Sequence, residues 1–254
     1  MQRAADAIDR YREVNDEWGV ADALALRGAV ARCAGDWHMA VGHYRQALSM
    51  FTILGDLSSA ARVYRSLAEV FFTAGEFEEA IAVMHEGLSV LPDDPTLLSG
   101  LGYSLWSAGH EADALAHLNR ALAVDSENPA ALFARGQIHA DLGRPRLALA
   151  DLDRLRACVH DEVHRRADLK SARGVSLIAL GRTAEGEAEL EEALLLVPHR
   201  GRTQWRVAEA RLREGDTERA RIALRAAVAS PQPLPPAHAD RARRLLRRMS
   251  SARV

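Results

Sequence analysis

Apolar residues recur at intervals of three and four along most of the chain, and glycines interrupt this pattern. Between residues 95 and 128, apolar and small side chains at this spacing precede Gly109 and resume after it. Such spacing places side chains on one face of an α-helix, and a glycine between two such stretches favours a turn. The segment therefore predicts a helix, a tight turn and a second helix. The residues of the pattern are Leu98, Leu101, Gly102, Leu105, Ala114, Leu118, Ala121 and Leu122.

Glycines of the same kind recur at distances of 34, 38 or 40 residues, which is the period expected of stacked helical hairpins. No segment alternates with the period of a strand. We therefore predict an all-α fold of about six hairpins with extra helices at both ends. The glycines that end the first helices are Gly35, Gly75, Gly109, Gly143, Gly181 and Gly215.

The clearest copy of the repeat is segment 61–94, where large, small and aromatic residues fall in the same register as in 95–128. The positions concerned are Tyr64, Leu67, Ala68, Phe71, Gly75, Phe77, Ala80, Met84 and Pro92. This layout resembles the tetratricopeptide repeat family, whose signature it matches more by spacing than by identity. The resemblance implies a right-handed α–α superhelix, a TPR solenoid, of bacterial type.

The predicted repeats occupy 21–60, 61–94, 95–128, 129–166, 167–200 and 201–231. Two copies are longer, and we expect an extended second helix after Phe51 and after Cys158. Such helices resemble those of tetratricopeptide-like sensor regions in bacterial regulators. Single positions depart from the family pattern at Arg27, Arg135, Arg173, Gly186 and Arg211.

Both ends of the array need cover, because a terminal repeat otherwise exposes an apolar face. Residues 1–20 predict one helix from Ala5 to Trp18, which is either a cap or the remainder of a longer array. Residues 232–254 follow a proline-rich stretch and predict a capping helix from Ala237 to Met249. Its apolar side carries Leu245, Leu246 and Met249.

The family resemblance implies that the first helix of each hairpin lines a groove that holds a peptide or protein partner. Aromatic and arginine side chains dominate binding hot spots, and the chain places several of them on this stripe. Helix packing is the alternative explanation for Phe72 and Trp106. The predicted groove residues are Arg62, Arg65, Glu69, Phe72, Ser99, Tyr103, Trp106, Phe133 and Gln137.

A secondary patch lies on the equivalent stripe of the last hairpin, where arginines surround a tryptophan. Arginine forks bind carboxylates and phosphates, so an acidic group is a candidate ligand. A solvated charged face is the alternative. The patch comprises Arg202, Trp205, Arg206, Glu209 and Arg213.

Charge and chemistry narrow the choice of function. The chain has 33 Lys plus Arg and 35 Asp plus Glu, which argues against a general nucleic-acid binder. Eight of the first twenty residues are charged, so we expect no signal peptide. No stretch approaches the roughly 18 apolar residues of a membrane span, so we expect no span and a cytoplasmic protein. Cys33 and Cys158 are too far apart to suggest a disulfide framework. His160 and His164 would share a helix face, but two ligands are too few for zinc, so we expect no metal site. We also expect no cofactor and no catalysis.

Three functions remain open. The first is a scaffold or sensor module that holds a protein partner in the groove. The second is a regulator that binds nucleic acid or an acidic partner through the C-terminal arginines, six of which lie in the last eighteen residues against one aspartate. The third is self-association into a homo-oligomer through the terminal helices.

Overall fold

The computed structural model describes residues 2–155, 163–231 and 234–251, and within these residues all regular secondary structure is helical. A short 3-10 turn at Asp153–Leu155 follows the ninth α-helix. The α-helices of the described residues are α1 (Gln2–Glu13), α2 (Glu17–Cys33), α3 (Trp37–Leu54), α4 (Leu57–Ala74), α5 (Phe77–Val90), α6 (Pro95–Ala108), α7 (Glu111–Val124), α8 (Pro129–Asp141), α9 (Pro145–Leu152), α10 (Val163–Ala179), α11 (Thr183–Leu196), α12 (Gly201–Arg213), α13 (Thr217–Val228) and α14 (Pro236–Ser251).

Glycines in the left-handed conformation end the first helix of each hairpin. Gly75 ends α4 with φ 83°, and its N–H donates to the carbonyl oxygen of Phe72 at 3.1 Å. Residues with a Cβ rarely adopt this conformation, so glycine is the residue that stops the helix here. All six glycines predicted as turns have positive φ, and Gly55 is a seventh.

Gly55 shows how the first longer copy is built. It ends α3, so α4 already begins at Leu57 and both helices have 18 residues. The predicted boundary between residues 60 and 61 consequently falls inside α4, and the boundary between 166 and 167 falls inside α10. The other predicted extension, after Cys158, lies outside the described residues.

The N-terminal prediction of one helix from Ala5 to Trp18 is wrong. The chain turns at Asn15, whose φ is 55°, and Asp16 caps a new helix by accepting a hydrogen bond from the Gly19 N–H at 2.8 Å. Asp is among the preferred N-cap residues, because its carboxylate satisfies an N–H that has no partner within the helix. Trp18 therefore belongs to α2 rather than to the terminal helix.

The chain divides into two compact units. The first unit comprises Met1–Leu105 and Ala116–Asn128, and the second comprises Trp106–Leu115 and Pro129–Val254. The first unit buries completely Phe51, Leu67, Leu97, Leu98, Leu101 and Leu118. In the second unit a core cluster around Trp205 and Leu224 also receives Leu245, Leu246 and Met249 of α14.

Candidate protein-binding site

Two ion pairs join α2 and α4 side by side in the first unit. Arg62 Nη2 lies 3.6 Å from Asp22 Oδ1, and Arg32 Nη1 lies 3.6 Å from Glu69 Oε1. All four side chains are partly exposed, so each pair contributes little to stability. The two ion pairs show which sides of α2 and α4 face each other.

Exposed apolar side chains lie along α2 between these two pairs. Leu26 and Val30 follow Asp22 at intervals of four residues, so they share its helix face. They are 56% and 36% exposed. Arg65 is exposed and lies three residues after Arg62 on α4, and neither an ion pair nor a hydrogen bond engages it within the described residues. We call this surface the α2–α4 face: Asp22, Leu26, Val30, Arg62, Arg65 and Glu69.

An aromatic group stands at the C-terminal end of α4. The Phe72 ring centroid lies 5.2 Å from that of Tyr103 on α6 and 5.2 Å from that of Phe77 on α5. All three rings are half-buried, so part of each contributes to the surface. Ser99, by contrast, is buried, and its hydroxyl donates to the carbonyl oxygen of Thr96 at 3.0 Å.

The groove residues predicted for the second unit are buried, contrary to the expectation of an exposed stripe. Trp106 is 1% exposed, and the guanidinium carbon of Arg202 lies 3.9 Å from its ring centroid. Phe133 is buried with Arg165 over its ring at 5.8 Å, and Gln137 is fully buried. A partner that binds the second unit as it stands does not reach these side chains.

Arg206 binds Gln137 from within the core of the second unit. Its side chain is fully buried, and its Nε donates to Asp141 Oδ1 at 2.9 Å. Nη1 donates to the Asp168 carbonyl oxygen and to Ser171 Oγ, each at 3.1 Å, and Nη2 donates to Gln137 Oε1 at 3.2 Å. These acceptors compensate the buried charge of the guanidinium. Removing one partner of a buried ion pair costs about 3 to 5 kcal/mol, because the other charge is then left uncompensated.

Trp205, the centre of the predicted secondary patch, is covered by α14. The His238 ring meets the Trp205 ring edge-on at 5.5 Å, and the guanidinium carbon of Arg241 lies 5.3 Å from its centroid. Arg241 Nη1 also lies 3.5 Å from Glu209 Oε1. Within the patch, Trp205, Arg206 and Glu209 are therefore buried, Arg202 is half-buried, and Arg213 is exposed.

Burial shifts the pKa of two groups where α14 meets α8 and α12. Loss of solvent raises the pKa of Glu209 to about 7, and the charge of Asp141 acts in the same direction against Arg241, Arg213 and Arg206. Burial lowers the pKa of His238, against the charge of Asp141. Burial therefore favours the neutral form of both groups.

Several residues of the α2–α4 face and of the contact between α14 and the helices beneath it were not predicted from the sequence. Spacing from Arg62 back to the previous repeat would have indicated Asp22, Leu26 and Val30. No local signal indicates Asp141 or His238, because their roles depend on contacts between distant segments.

The histidine pair and the C-terminal arginines lie only partly within the described residues. His160 lies outside the described residues, His164 is exposed, and no group of three metal-ligating side chains occurs in the part described. Of the C-terminal arginines, Arg243 pairs with Asp240 at 3.0 Å and Arg253 lies outside the described residues. Binding of nucleic acid or of an acidic partner there stays a prediction. Among the helices described, none is long and apolar enough to span a membrane.

Comparison with known proteins gives a consistent family. One tetratricopeptide repeat model matches residues 19–93. A second matches residues 99–160 and 171–235, and the two ranges of this second model alone make up half of the chain. No curated protein sequence gives a significant match.

Solved structures of low sequence identity share the fold. The Cut9–Hcn1 structure of the APC/C aligns with 98% of this chain at TM-score 0.69 and 16% identity, and this chain spans only 46% of the matched one. BtubC from P. vanneervenii aligns with 77% of this chain and 88% of its own at TM-score 0.62 and 15% identity. A tetratricopeptide repeat protein from Parabacteroides merdae aligns over 91% and 98% at TM-score 0.55 and 16% identity.

Proposed function

Because the chain belongs to the tetratricopeptide repeat family, we propose that it is an interaction scaffold that binds a protein partner through the α2–α4 face. The fold of this family is an all-α superhelix of repeats. Repeats of this family generally mediate protein–protein interaction, and their fold is generally a non-catalytic scaffold. The Cut9–Hcn1 structure is itself a hetero-tetramer. Only the general role of binding a protein is extended from it to this chain.

The observation that carries the proposal is the exposed apolar pair on α2 beside Arg65 of α4, which has no ion pair within the described residues. Leu26 and Val30 are already partly buried, so covering the exposed remainder against a partner would gain roughly 0.5 to 1.5 kcal/mol for each side chain. Arg65 can give a carboxylate two parallel hydrogen bonds. The face thus fits a peptide segment that presents apolar side chains next to an acidic residue.

The predicted groove is thereby narrowed to its first-unit part. Arg62, Arg65 and Glu69 contribute directly, and Phe72 and Tyr103 extend the surface as half-buried rings. Ser99, Trp106, Phe133 and Gln137 support the packing instead, since their side chains are buried.

The test is affinity capture from a lysate of the source cell with three baits. The wild type is compared with the double variant Leu26→Asp, Arg65→Glu and with a matched control, Leu195→Asp, Arg146→Glu. Leu195 is 81% exposed and Arg146 is exposed, and both lie in the second unit. Each change to a charge of the wrong sign should weaken binding at least about tenfold, which corresponds to about 1.4 kcal/mol.

We expect at least one protein to be captured by the wild type and by the control but lost with the Leu26/Arg65 variant. Circular dichroism should show the same helical signal for all three baits, because the changed side chains are exposed. Recovery of the same set of proteins by every bait would contradict the proposal.

A further inference from the structure

Helix α14 does more than follow α13 in the chain. It packs against α13 as the next helix, yet its first turns also reach α8 and α12. The chain arrives there through Pro231 and Pro235, which cannot donate a backbone hydrogen bond to hold the linker. Leu234 of the linker is buried in the core cluster, so this side chain and the contacts of α14 itself hold the helix.

These contacts centre on two side chains that share one face of α14. His238 and Arg241 are three residues apart, so they point to the same side of the helix. Both contact the Trp205 ring, His238 Nε2 lies 3.6 Å from Asp141 Oδ2, and Arg241 pairs with Glu209. Cation–π contacts and ion pairs of this kind are the usual means of recognising a basic peptide. We call the receiving surface the α8–α12 face: Asp141, Trp205 and Glu209.

The fit of α14 on this face is incomplete. Trp205 Nε1 and Asp141 Oδ2 are both buried, and no hydrogen bond engages either atom within the described residues. An unsatisfied buried polar atom costs about 1 to 3 kcal/mol, so this contact is poorer than the surrounding core. Arg241 remains 56% exposed, and Leu245, Leu246 and Met249 are only partly buried. Ala242 is fully buried, so α14 is also held by apolar packing, while polar contacts that another helix can supply hold its first turns.

We infer that α14 is a displaceable, built-in ligand of the α8–α12 face, and that this face recognises a helix presenting a histidine and an arginine three residues apart. In the structure α14 fills that role from within the chain and keeps the face closed. A short linker gives such an intramolecular ligand an effective concentration on the order of millimolar. A separate helix of the same chemistry binds only when α14 is weakened.

The experiment measures binding of a fluorescent synthetic peptide of residues 234–251 to the full chain by anisotropy. The wild type should bind it weakly, since its own α14 competes. The double variant His238→Ala, Arg241→Ala should bind it at least about tenfold more tightly, because its own helix has lost both contacts. A peptide carrying the same two changes should not bind the variant.

Arg243→Ala is the matched control, because Arg243 is exposed on the same helix and pairs only with Asp240 at i−3 among the contacts described. It should leave peptide binding as weak as in the wild type. Should the double variant lose its helical circular dichroism signal, Arg241→Ala alone serves instead, with an expected gain of about threefold. Peptide binding by the folded variant that is no tighter than that of the wild type would overturn the inference. The assay involves no partner of the α2–α4 face, so the two proposals fail separately.

Discussion

Gly186 stands where the repeat pattern has alanine, and the contact between α10 and α11 explains the exchange. A Cβ on Gly186 would lie 2.6 Å from the carbonyl oxygen of Gly174, and a Cβ on Gly174 would lie 2.8 Å from that of Gly186. Because both obstacles are backbone atoms, they cannot rotate away. The two helices approach this closely only because both positions lack a side chain.

Gly186→Ala should therefore destabilise the protein by about 1 to 3 kcal/mol through overpacking. Gly42→Ala is the control, since Gly42 lies in α3 with no atom within 4 Å of a Cβ. It should raise the free energy of unfolding by up to about 1 kcal/mol, because alanine favours a helix over glycine. Urea denaturation of both variants measures the difference. Equal free energies of unfolding would refute the close approach.

Side-chain exposure is where prediction from the sequence ends. Spacing along the chain placed Trp106 and Trp205 on the stripe that faces inward, but it could not show what covers them. That cover comes from Arg202 and Arg241, which lie 96 and 36 residues further along the chain. Periodicity specifies the direction of a side chain relative to its own helix, whereas burial depends on the neighbouring helices.

Among the helices, starts and stops follow short local signals. Asp16, Asp36, Asp56 and Asp216 each accept a hydrogen bond from the backbone N–H three residues later, at the beginning of α2, α3, α4 and α13. Glycines end several of the same helices. The family pattern was therefore recoverable from the sequence. The turns at Gly55 and Asp16 were missed although they carry the same signals, because the repeat period alone does not require them.

Asp56 offers a test of the capping contribution. Its carboxylate accepts hydrogen bonds from Ser59 N–H at 3.0 Å and from Trp18 Nε1–H at 2.8 Å. The Ser59 side chain, the Trp18 Nε1–H and the Ser59 N–H, in that order, lower the pKa of Asp56 to about 2. Asp56→Ala should cost about 0.5 to 2 kcal/mol of stability. Glu76→Ala is the comparison, since Glu76 occupies the same position of α5 without a side-chain cap. Its effect on the guanidinium midpoint should be much smaller, and an equal effect would rule out the cap.

At the scale of the whole molecule, the two units present their first helices differently. The first unit leaves the α2–α4 face exposed, whereas in the second unit α14 lies on the α8–α12 face. The family fold is common to both, so the difference arises from particular side chains rather than from the architecture. Self-association through the terminal helices and nucleic-acid binding by the arginines stay predictions.

Site-specific photo-crosslinking in the source cell shows whether the protein partner touches the α2–α4 face. A photoreactive phenylalanine analogue replaces Leu26 in one sample and Leu195, the exposed control of the second unit, in the other. We expect the residue at position 26 to form a covalent adduct with one partner protein, and the residue at position 195 to form none. An adduct from position 195 with no adduct from position 26 would contradict this expectation.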